Sequence, residues 1–121
     1  MRDTLQVGLE NERRFVVGEE HDAGSVAATV LATPVMIGWI EHACYEAIVA
    51  HLEDGESSVG THVCVSHEGP AGLDDEVVIR CRLVEMERKR LVFDVTVETA
   101  TRTISRGTHQ RHVVSYAGFQ T

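Results

Sequence analysis

The feature that most limits the folds open to this chain is a long apolar segment, PVMIGWIEHACYEAIVAHLE, which runs from Pro34 to about Glu53. Apolar residues cover most of its helical circumference, as is typical of a helix packed on most sides. Thr33 is expected at the N-cap and Pro34 at the first helical position, where a missing N–H costs nothing. Asp54 and Gly55 are expected to end the helix. The sequence therefore predicts one central, largely buried helix.

In the rest of the chain, apolar side chains recur at every second residue. This period is that of strands with one face on a core. Residues 12–17 fit a short first strand, and the segment from Thr101 to Ser115 fits a last strand with polar residues on both faces. Three further strands are indicated by alternating sets, namely Val59, Thr61, Val63 and Val65; Val77, Ile79, Cys81 and Leu83; and Leu91, Phe93, Val95 and Val97.

One strand, one buried helix and then four closely spaced antiparallel strands define an α+β domain in which the sheet can wrap around the helix. This is the hotdog arrangement. A length of 121 residues and a hydrophobic content of 43% are enough for one core. Residues 1–121 are therefore predicted to form a single domain. The two-faced polarity of the last strand predicts that part of the sheet continues into a second copy, which makes a homodimer.

The charge balance limits the partners of the protein. Eleven Lys and Arg against nineteen Asp and Glu give a formal net charge of -8 at pH 7, which repels the phosphates of nucleic acids. We therefore expect no nucleic-acid partner. An anionic small ligand remains compatible, because salt screens charges beyond roughly 8 Å. Its candidate contacts are Arg88, Lys89 and Arg90 and the pair Arg106 and Arg111, although a solvated turn or strand face is the simpler interpretation of each.

Nothing in the sequence indicates export or membrane insertion. The start, MRDTLQVGLENERR, lacks the apolar core of a signal peptide, and the longest apolar stretch is interrupted by Glu41, His42, Glu46 and His51. Three cysteines without a CxxC pair predict neither a disulfide framework nor a zinc site. We expect a cytoplasmic protein that spans no membrane and holds no metal.

Three polar residues are candidates for chemistry. Glu41 lies two turns into the helix beside apolar neighbours, but at the margin of a narrow polar arc, so the edge of a solvated stripe is the alternative interpretation. His67 ends a strand on the face of its valines, where a satisfied strand-end histidine is the alternative. Thr33 supplies a hydroxyl at the helix start. A carboxylate, an imidazole and a hydroxyl beside a helix N-terminus form a plausible hydrolytic site.

Other motifs carry little chemistry. His42 and Glu46 have a spacing that metal ligands can share, but the two histidines of an HExxH motif are absent. No GxSxG or GxGxxG sequence occurs, so a serine-hydrolase elbow and a dinucleotide site lack support. Cys44 and Cys64 are expected to be buried small hydrophobes rather than nucleophiles.

Three stretches resemble the fluoroacetyl-CoA thioesterases and their relatives in the hotdog thioesterase superfamily. They are ATPVMIGWIEHACYEAIVAHLEDGESSVGT, which is similar to the family's helix and its exit, HVCVSH, which is similar to its next strand, and SRGTHQRHVV, which is similar to its final strand. The resemblance runs from about Leu31 to Val114, and the spacing between the stretches also fits.

The resemblance implies the activity and the residues of the site. The family's catalytic Thr, Glu and His match Thr33, Glu41 and His67. Its glycine before the strand matches Gly60, where a missing side chain lets a thioester approach the backbone. Its GTHxR segment ends at Arg111, a candidate substrate-binding residue. The implied enzyme is an acyl-CoA thioesterase that releases a carboxylic acid and CoA, with no cofactor besides the CoA of its substrate.

One segment departs from the family. Where the defining enzyme has bulky aromatic residues that shape the fluoroacyl pocket, this chain has small residues from Gly24 to Ala28. We therefore expect a short or compact acyl group without fluoroacetyl selectivity. A non-catalytic acyl-CoA binding or sensing module is the alternative function, because a fold hosts either role. A hotdog hydratase would need a different pairing of Asp and His.

Overall fold

The computed structural model describes residues 1–24 and 28–116. Its elements are β1 (Glu10–Val16), a short 3-10 helix (Glu19–His21), α1 (Thr33–Val49), β2 (Glu56–Val65), β3 (Glu76–Glu87), β4 (Arg90–Glu98) and β5 (Thr103–Ser115). All neighbouring strands are antiparallel, and they form one sheet in the order β1-β3-β4-β5-β2. The predicted set of one long helix and five antiparallel strands is confirmed.

Helix α1 packs on one face of this sheet, mainly against β3 and β1. Residues four apart, Met36, Ile40, Cys44 and Ile48, form a fully buried stripe, because positions i and i+4 lie on one side of a helix. Burial of one such large side chain stabilises the fold by about 1.5–3 kcal/mol. The exposed residues of α1 are confined to its two ends and to Gly38 and His42, so the prediction of a helix covered on most sides is confirmed. The described residues contain no helix long and apolar enough to cross a membrane.

Both ends of α1 differ from the prediction. Ala32 is the N-cap and gives no side-chain cap, and Thr33 is already helical. The helix ends at Val49 rather than near Glu53. The N-terminal segment explains this early end, because the main chain and side chain of Arg2 donate hydrogen bonds to carbonyl groups just beyond the helix. These carbonyls are thereby satisfied without a further helical turn.

Strand β2 lies at one edge of the sheet and contains a bulge. Its register against β5 shifts between Gly60 and His62, which leaves Thr61 as the extra residue. A bulge of this kind interrupts the alternation of faces. The expected core face of β2 was therefore wrong: Val59 and Val63 are 41% and 37% exposed. Cys64, which was expected to be buried, is exposed as well.

Strand β5 lies inside the sheet, between β4 and β2. Its inward polar residues Ser105, His109 and Arg111 are buried within the chain, so the polarity of β5 does not by itself require a second copy, and the homodimer stays a prediction. Gly107 allows β5 to approach β2 closely. A Cβ at this position would collide with the carbonyl oxygen of Cys64 and lie 2.7 Å from the Cα of Val65.

The close approach at Gly107 predicts a large cost of adding one methyl group. In Gly107→Ala, the Cβ would meet backbone atoms that cannot move independently, so the free energy of unfolding should fall by about 3 kcal/mol. Gly38→Ala is the matched control, since a Cβ there meets no atom within 4 Å and a helical Ala gains up to about 1 kcal/mol over Gly. Urea unfolding at one protein concentration measures both. Equal stability of the two variants would contradict the assigned strand approach.

Candidate active site

The candidate residues lie in two groups along α1. The first group is at the helix start, where the Oγ1 of Thr33 and the Nδ1 of His67 are 2.7 Å apart and hydrogen bonded. This bond uses the hydroxyl that was predicted to cap the helix. The N-cap prediction for Thr33 was wrong for this reason, while the predicted proximity of Thr33 and His67 is present in the structure.

His67 is held by an extension of the β2–β5 ladder beyond the end of β2. The N–H of Ser66 donates to the carbonyl of Arg106 at 3.0 Å, and the N–H of Glu68 donates to the carbonyl of Ile104 at 2.6 Å. This register places His67 opposite Ser105. The Ser105 hydroxyl is buried and has no hydrogen-bond partner among the described residues. The sequence did not single out this buried hydroxyl.

The second group surrounds Glu41, two turns further along the helix. The Glu41 side chain is 42% exposed, which is neither a buried carboxylate nor a freely solvated one. Its Oε2 lies where a side chain on Gly60 would begin, 2.7 Å from the position of a Cβ. The missing side chain of Gly60 therefore makes room for this carboxylate.

Arg111 brings a buried cation to the same place. Its Nε donates to the Oγ of Ser58 at 2.8 Å and its Nη2 donates to the Ser58 carbonyl at 3.0 Å. Its Nη1 lies 4.0 Å from the Oε2 of Glu41, which is beyond hydrogen-bond distance. The guanidinium also lies over the ring of Tyr45, 5.7 Å from its centroid. Burial lowers the pKa of Arg111, but an arginine stays charged in proteins.

His109 completes this group and is fully buried. Its Nδ1 is 2.9 Å from the carbonyl oxygen of His62, and its Nε2 is 3.1 Å from the Nη1 of Arg111. A carbonyl only accepts, so Nδ1 carries the proton and Nε2 accepts from the arginine. Burial, the largest cause, lowers the pKa of His109, against the raising effect of the bond to His62. The neutral imidazole is thus the favoured form.

The single chain does not bring all three predicted catalytic residues together. Thr33 and Glu41 are eight residues apart on one helix, which is about 12 Å along its axis. The carboxylate of Glu41 is turned towards Gly60 and Arg111, and the structure shows no contact from it to Thr33 or His67. The site therefore has two ends, a helix-start end with Thr33 and His67 and a carboxylate end with Glu41, Gly60 and Arg111.

Other sequence candidates have ordinary partners in the fold. The Nε2 of His42 lies 2.6 Å from the Oε1 of Glu46 on the helix surface, and the described residues contain no cluster of three His, Cys, Asp or Glu side chains suited to a metal ion. The hydrogen bond with Cys81, followed by burial, raises the pKa of the Cys44 thiol. This thiol is therefore protonated and a poor nucleophile.

Two of the cations that were predicted to contact an anionic ligand are paired with carboxylates. Arg106 pairs with Glu68 and Arg90 pairs with Glu85, so both cations are already engaged by carboxylates on the surface.

Of the small-residue segment from Gly24 to Ala28, positions 25–27 lie outside the described residues. A concave region of about 490 Å³ lies on the outer face of β1, β3 and β4, away from the candidate site, and ion pairs cross it.

Two functional candidates were missed at the sequence level. His109 lies in the GTHxR segment, whose match to the family was noted without a role for the histidine. Ser58 carried no signal, since a serine near the start of a strand is common. Its double contact with Arg111 depends on the pairing of Ser58 with Val113 across the ladder, which a local pattern does not specify.

Comparison with known proteins identifies the class of the chain. A fluoroacetyl-CoA thioesterase from Streptantibioticus cattleyicolor is 38% identical, with the alignment covering 98% of this chain and 92% of that protein. A crystal structure of a mutant of the fluoroacetyl-CoA-specific thioesterase FlK, in complex with fluoroacetate and CoA, has a TM-score of 0.88 at 31% identity, covering 96% of this chain and all of that chain. A Thermus thermophilus member of the thioesterase superfamily has a TM-score of 0.87 at 25% identity, with 94% and 87% coverage.

These similarities place the chain among the thioesterases of the hotdog fold and confirm the predicted fold and enzyme class. The sequence pattern of one family in this class, the fluoroacetyl-CoA-specific thioesterases, matches residues 12–117. The chain belongs to that family. The resemblance inferred from the helix, strand and GTHxR stretches is thereby confirmed.

The buried neutral His109 predicts a pH dependence of stability. Its pKa lies below the ordinary value of about 6.5, so below that pH the unfolded chain binds more protons than the folded one and stability falls. The charged or titratable groups that face it are Arg111, Glu41 and His62. The free energy of unfolding should decrease from pH 7.5 to pH 5.5, and less so in His109→Asn.

Urea unfolding at several pH values measures this difference. Carboxylates whose pKa is lowered by ion pairs, such as Glu46 and Glu68, lose their contribution only at lower pH, below about 4.5. The other histidines are common to both proteins. Identical pH profiles of the wild type and His109→Asn would contradict the assigned neutral state.

Proposed function

We propose that the chain hydrolyses acyl-CoA thioesters with a short or compact acyl group and releases a carboxylic acid and CoA. The observation that carries this proposal is the carboxylate of Glu41, held over Gly60 with the buried cation of Arg111 at 4.0 Å. The hydrogen-bonded pair of Thr33 and His67 at the helix start supports it, as does membership in the thioesterase family.

The helix start is the proposed binding point of the thioester carbonyl. Pro34 has no N–H, and no described residue accepts a hydrogen bond from the N–H of Thr33 or Val35. These two groups and the positive end of the helix dipole can stabilise the oxyanion that develops on the carbonyl oxygen. The Thr33 hydroxyl lies beside them and is oriented by His67.

Glu41 is the proposed nucleophile or general base. As a nucleophile, its carboxylate would attack the thioester carbon and form an anhydride while the C–S bond breaks, and water would then hydrolyse the anhydride. As a base, it would take a proton from a water that attacks directly. In both routes the departing CoA thiolate acquires a proton, for which His67 is the nearest imidazole to the helix start. Arg111 would bind the acyl group or the carboxylate product beside Glu41.

The acyl preference is proposed from the small residues between Gly24 and Ala28. The relative from Streptantibioticus cattleyicolor is named for fluoroacetyl-CoA, but this segment lacks the bulky aromatic residues that the family resemblance leads us to expect for a fluoroacyl pocket. We therefore propose a compact acyl group without selectivity for fluorine. No cofactor beyond the CoA of the substrate takes part in these steps, and a cytoplasmic location fits an enzyme of CoA esters.

We propose that the protein is a homodimer joined through β2. This edge strand has ten residues, and Val59 to Cys64 are exposed. No Asp, Glu, Lys or Arg occurs from Ser57 to Ser66, whereas charges at an edge normally prevent pairing. A second copy can pair its β2 antiparallel to this one about a twofold axis, which is the commonest symmetry of homo-oligomers.

A dimer of this kind would also complete the site. Glu41 and the helix start of one chain are about 12 Å apart along α1, so one substrate carbonyl cannot contact both within that chain. The exposed edge of β2 begins beside Gly60, next to Glu41. We therefore propose that Glu41 of one copy acts on a thioester bound at Thr33 and His67 of the other copy.

The catalytic assignment predicts large losses of turnover. Glu41→Gln removes the charge and keeps the shape, so kcat should fall by about 10²-fold or more, and His67→Ala should do likewise. Their double mutant should be scarcely slower than the slower single mutant, because the two residues act as one unit. Thr33→Ala should be milder in rate, with a stability change within about 0.5 kcal/mol, since its hydroxyl does not cap the helix.

Release of free thiol from a panel of acyl-CoA substrates, fluoroacetyl-CoA and acetyl-CoA among them, measures these effects. Near-wild-type turnover of Glu41→Gln would refute the assigned role of Glu41. Turnover of fluoroacetyl-CoA far above acetyl-CoA would refute the proposed selectivity. If the wild type binds acyl-CoA but releases no thiol from any substrate, the protein is a binding module instead.

The shared site predicts complementation between inactive subunits. When Glu41→Gln and His67→Ala proteins are unfolded together and refolded, random pairing makes half of the dimers mixed, and each mixed dimer has one fully wild-type site. Turnover should therefore return to about a quarter of the wild-type value per subunit. Light scattering at micromolar concentration should give a dimer throughout. Absence of recovery in mixed dimers would place Glu41 and His67 of one site in the same chain, and a monomer would refute the dimer.

A further inference from the structure

A hydrogen-bonded network of buried polar groups connects β2 to β5 near Glu41. The carbonyl of His62 accepts from the Nδ1 of His109, whose Nε2 accepts from the Nη1 of Arg111. The same guanidinium donates its other bonds to Ser58. His109 and Arg111 are both buried. One end of this hydrogen-bonded network is the carbonyl of His62, at the β2 bulge between Gly60 and His62. The bulge therefore lies at the acceptor of the His109 imidazole.

The imidazole can fill this place in only one protonation state. The His62 carbonyl requires the proton on Nδ1, and the guanidinium requires a lone pair on Nε2. An imidazolium would point an N–H at an N–H of Arg111 and would place two positive charges in contact. The protonated form and the Nε2–H tautomer are both incompatible with the observed pair of bonds.

The guanidinium is oriented by these contacts. Three of its five N–H groups are used, one each on Nε and Nη2 by Ser58 and one on Nη1 by His109. Since the group is planar, two acceptors on β2 and one on β5 fix its plane. The remaining N–H of Nη1 has no acceptor among the described residues, and this nitrogen lies 4.0 Å from the Oε2 of Glu41.

We propose that His109 is a positioning residue for the thioesterase site: it holds the guanidinium of Arg111 so that one N–H remains available beside Glu41. This role depends on the activity proposed above. His109 does not touch the reacting atoms and acts through Arg111. A Cβ on Gly60 would be 3.2 Å from the Cε1 of His109 and 3.5 Å from the Nη1 of Arg111, so all three residues converge on the space next to the carboxylate.

Stability alone gives no reason for this arrangement. A buried guanidinium whose carboxylate neighbour, Glu41, lies at 4.0 Å and outside hydrogen-bond distance is costly to bury, and the neutral imidazole of His109 adds no charge pairing. The neighbouring inward position on β5, Val113, is filled by an apolar residue. Of its five N–H groups three are bonded and two are not, and the unbonded N–H of Nη1 lies on the side of the Glu41 carboxylate, as expected for a group held for a ligand.

Two substitutions of His109 separate its hydrogen bonds. Asn places an amide near Nδ1, so His109→Asn keeps the donor to the His62 carbonyl and removes the acceptor for Arg111. Gln reaches the position of Nε2, so His109→Gln keeps an acceptor for Arg111. His112→Asn is the matched control, because it makes the same change at an exposed neighbouring position on β5. We expect His109→Asn to lower kcat/KM at least tenfold, His109→Gln to recover part of that loss, and His112→Asn to have no effect.

A double-mutant cycle tests whether His109 acts through Arg111. In an Arg111→Gln background, His109→Asn should cause no further loss of kcat/KM, because the group that it positions is gone. A merely structural role would give the same loss in both backgrounds, or would lower the melting temperature at unchanged kcat/KM. Either result would overturn the proposal.

A measurement without turnover keeps the proposal testable if the wild type proves inactive. Nitrogen NMR of the histidine rings at pH 7.5 should show His109 as the neutral Nδ1–H tautomer. The N–H signal of the Nη1 of Arg111, the group bonded to His109, should be protected from exchange in the wild type, lost in His109→Asn and retained in His109→Gln. An Nε2–H tautomer, an imidazolium, or an arginine signal unaffected by His109→Asn would overturn the positioning role. Absence of thiol release with these signals as expected would refute the thioesterase activity alone.

Discussion

The antiparallel pairing of β2 with β5 is the constraint on which the candidate site depends. It sets Ser58 opposite Val113 and Gly60 opposite Arg111, so the arginine side chain finds its acceptors on the neighbouring strand. The same ladder, extended past β2, carries His67 to the helix start. Gly107 permits the close approach of the two strands, because any side chain there would enter the β2 backbone. A slip of this register would separate both ends of the site at once.

The sequence predicted the helix and the strands well because their periods are local properties. It also predicted that Thr33 and His67 would meet, since a strand that leaves a buried helix by a short turn packs back against it. The predicted N-cap at Thr33 was wrong. A hydroxyl at a helix start can bond either to the helix backbone or to another side chain, and only the fold shows that the Thr33 hydroxyl bonds to His67. Hydrophobic alternation could not show the bulge in β2, because an added residue between Gly60 and His62 leaves valines on both sides of it.

The polarity of β5 illustrates a different limit. Polar residues on both faces of a strand suggest a surface, and the sequence offered no reason to bury a serine, a histidine and an arginine. In the fold, His109 and Arg111 satisfy each other and use Ser58 and the His62 carbonyl as further partners. Buried polar groups need such partners, but the partners come from a strand more than forty residues away in the chain. Only the tertiary pairing turns these residues from surface candidates into parts of a site.

The two edges of the sheet differ in a way that bears on the geometry of catalysis. On β1, the outward side chains of Glu12 and Arg14 form ion pairs with residues of β3, and charged edges resist further pairing. On β2, the exposed residues Val59 to Cys64 are uncharged and include Gly60. Among the described residues, β2 is therefore the sheet edge better suited to accept another strand, and it lies beside Glu41. Because a helix is rigid, Thr33 cannot move closer to Glu41 within one chain. A second copy at β2 would remove this separation without any change in the fold of either chain.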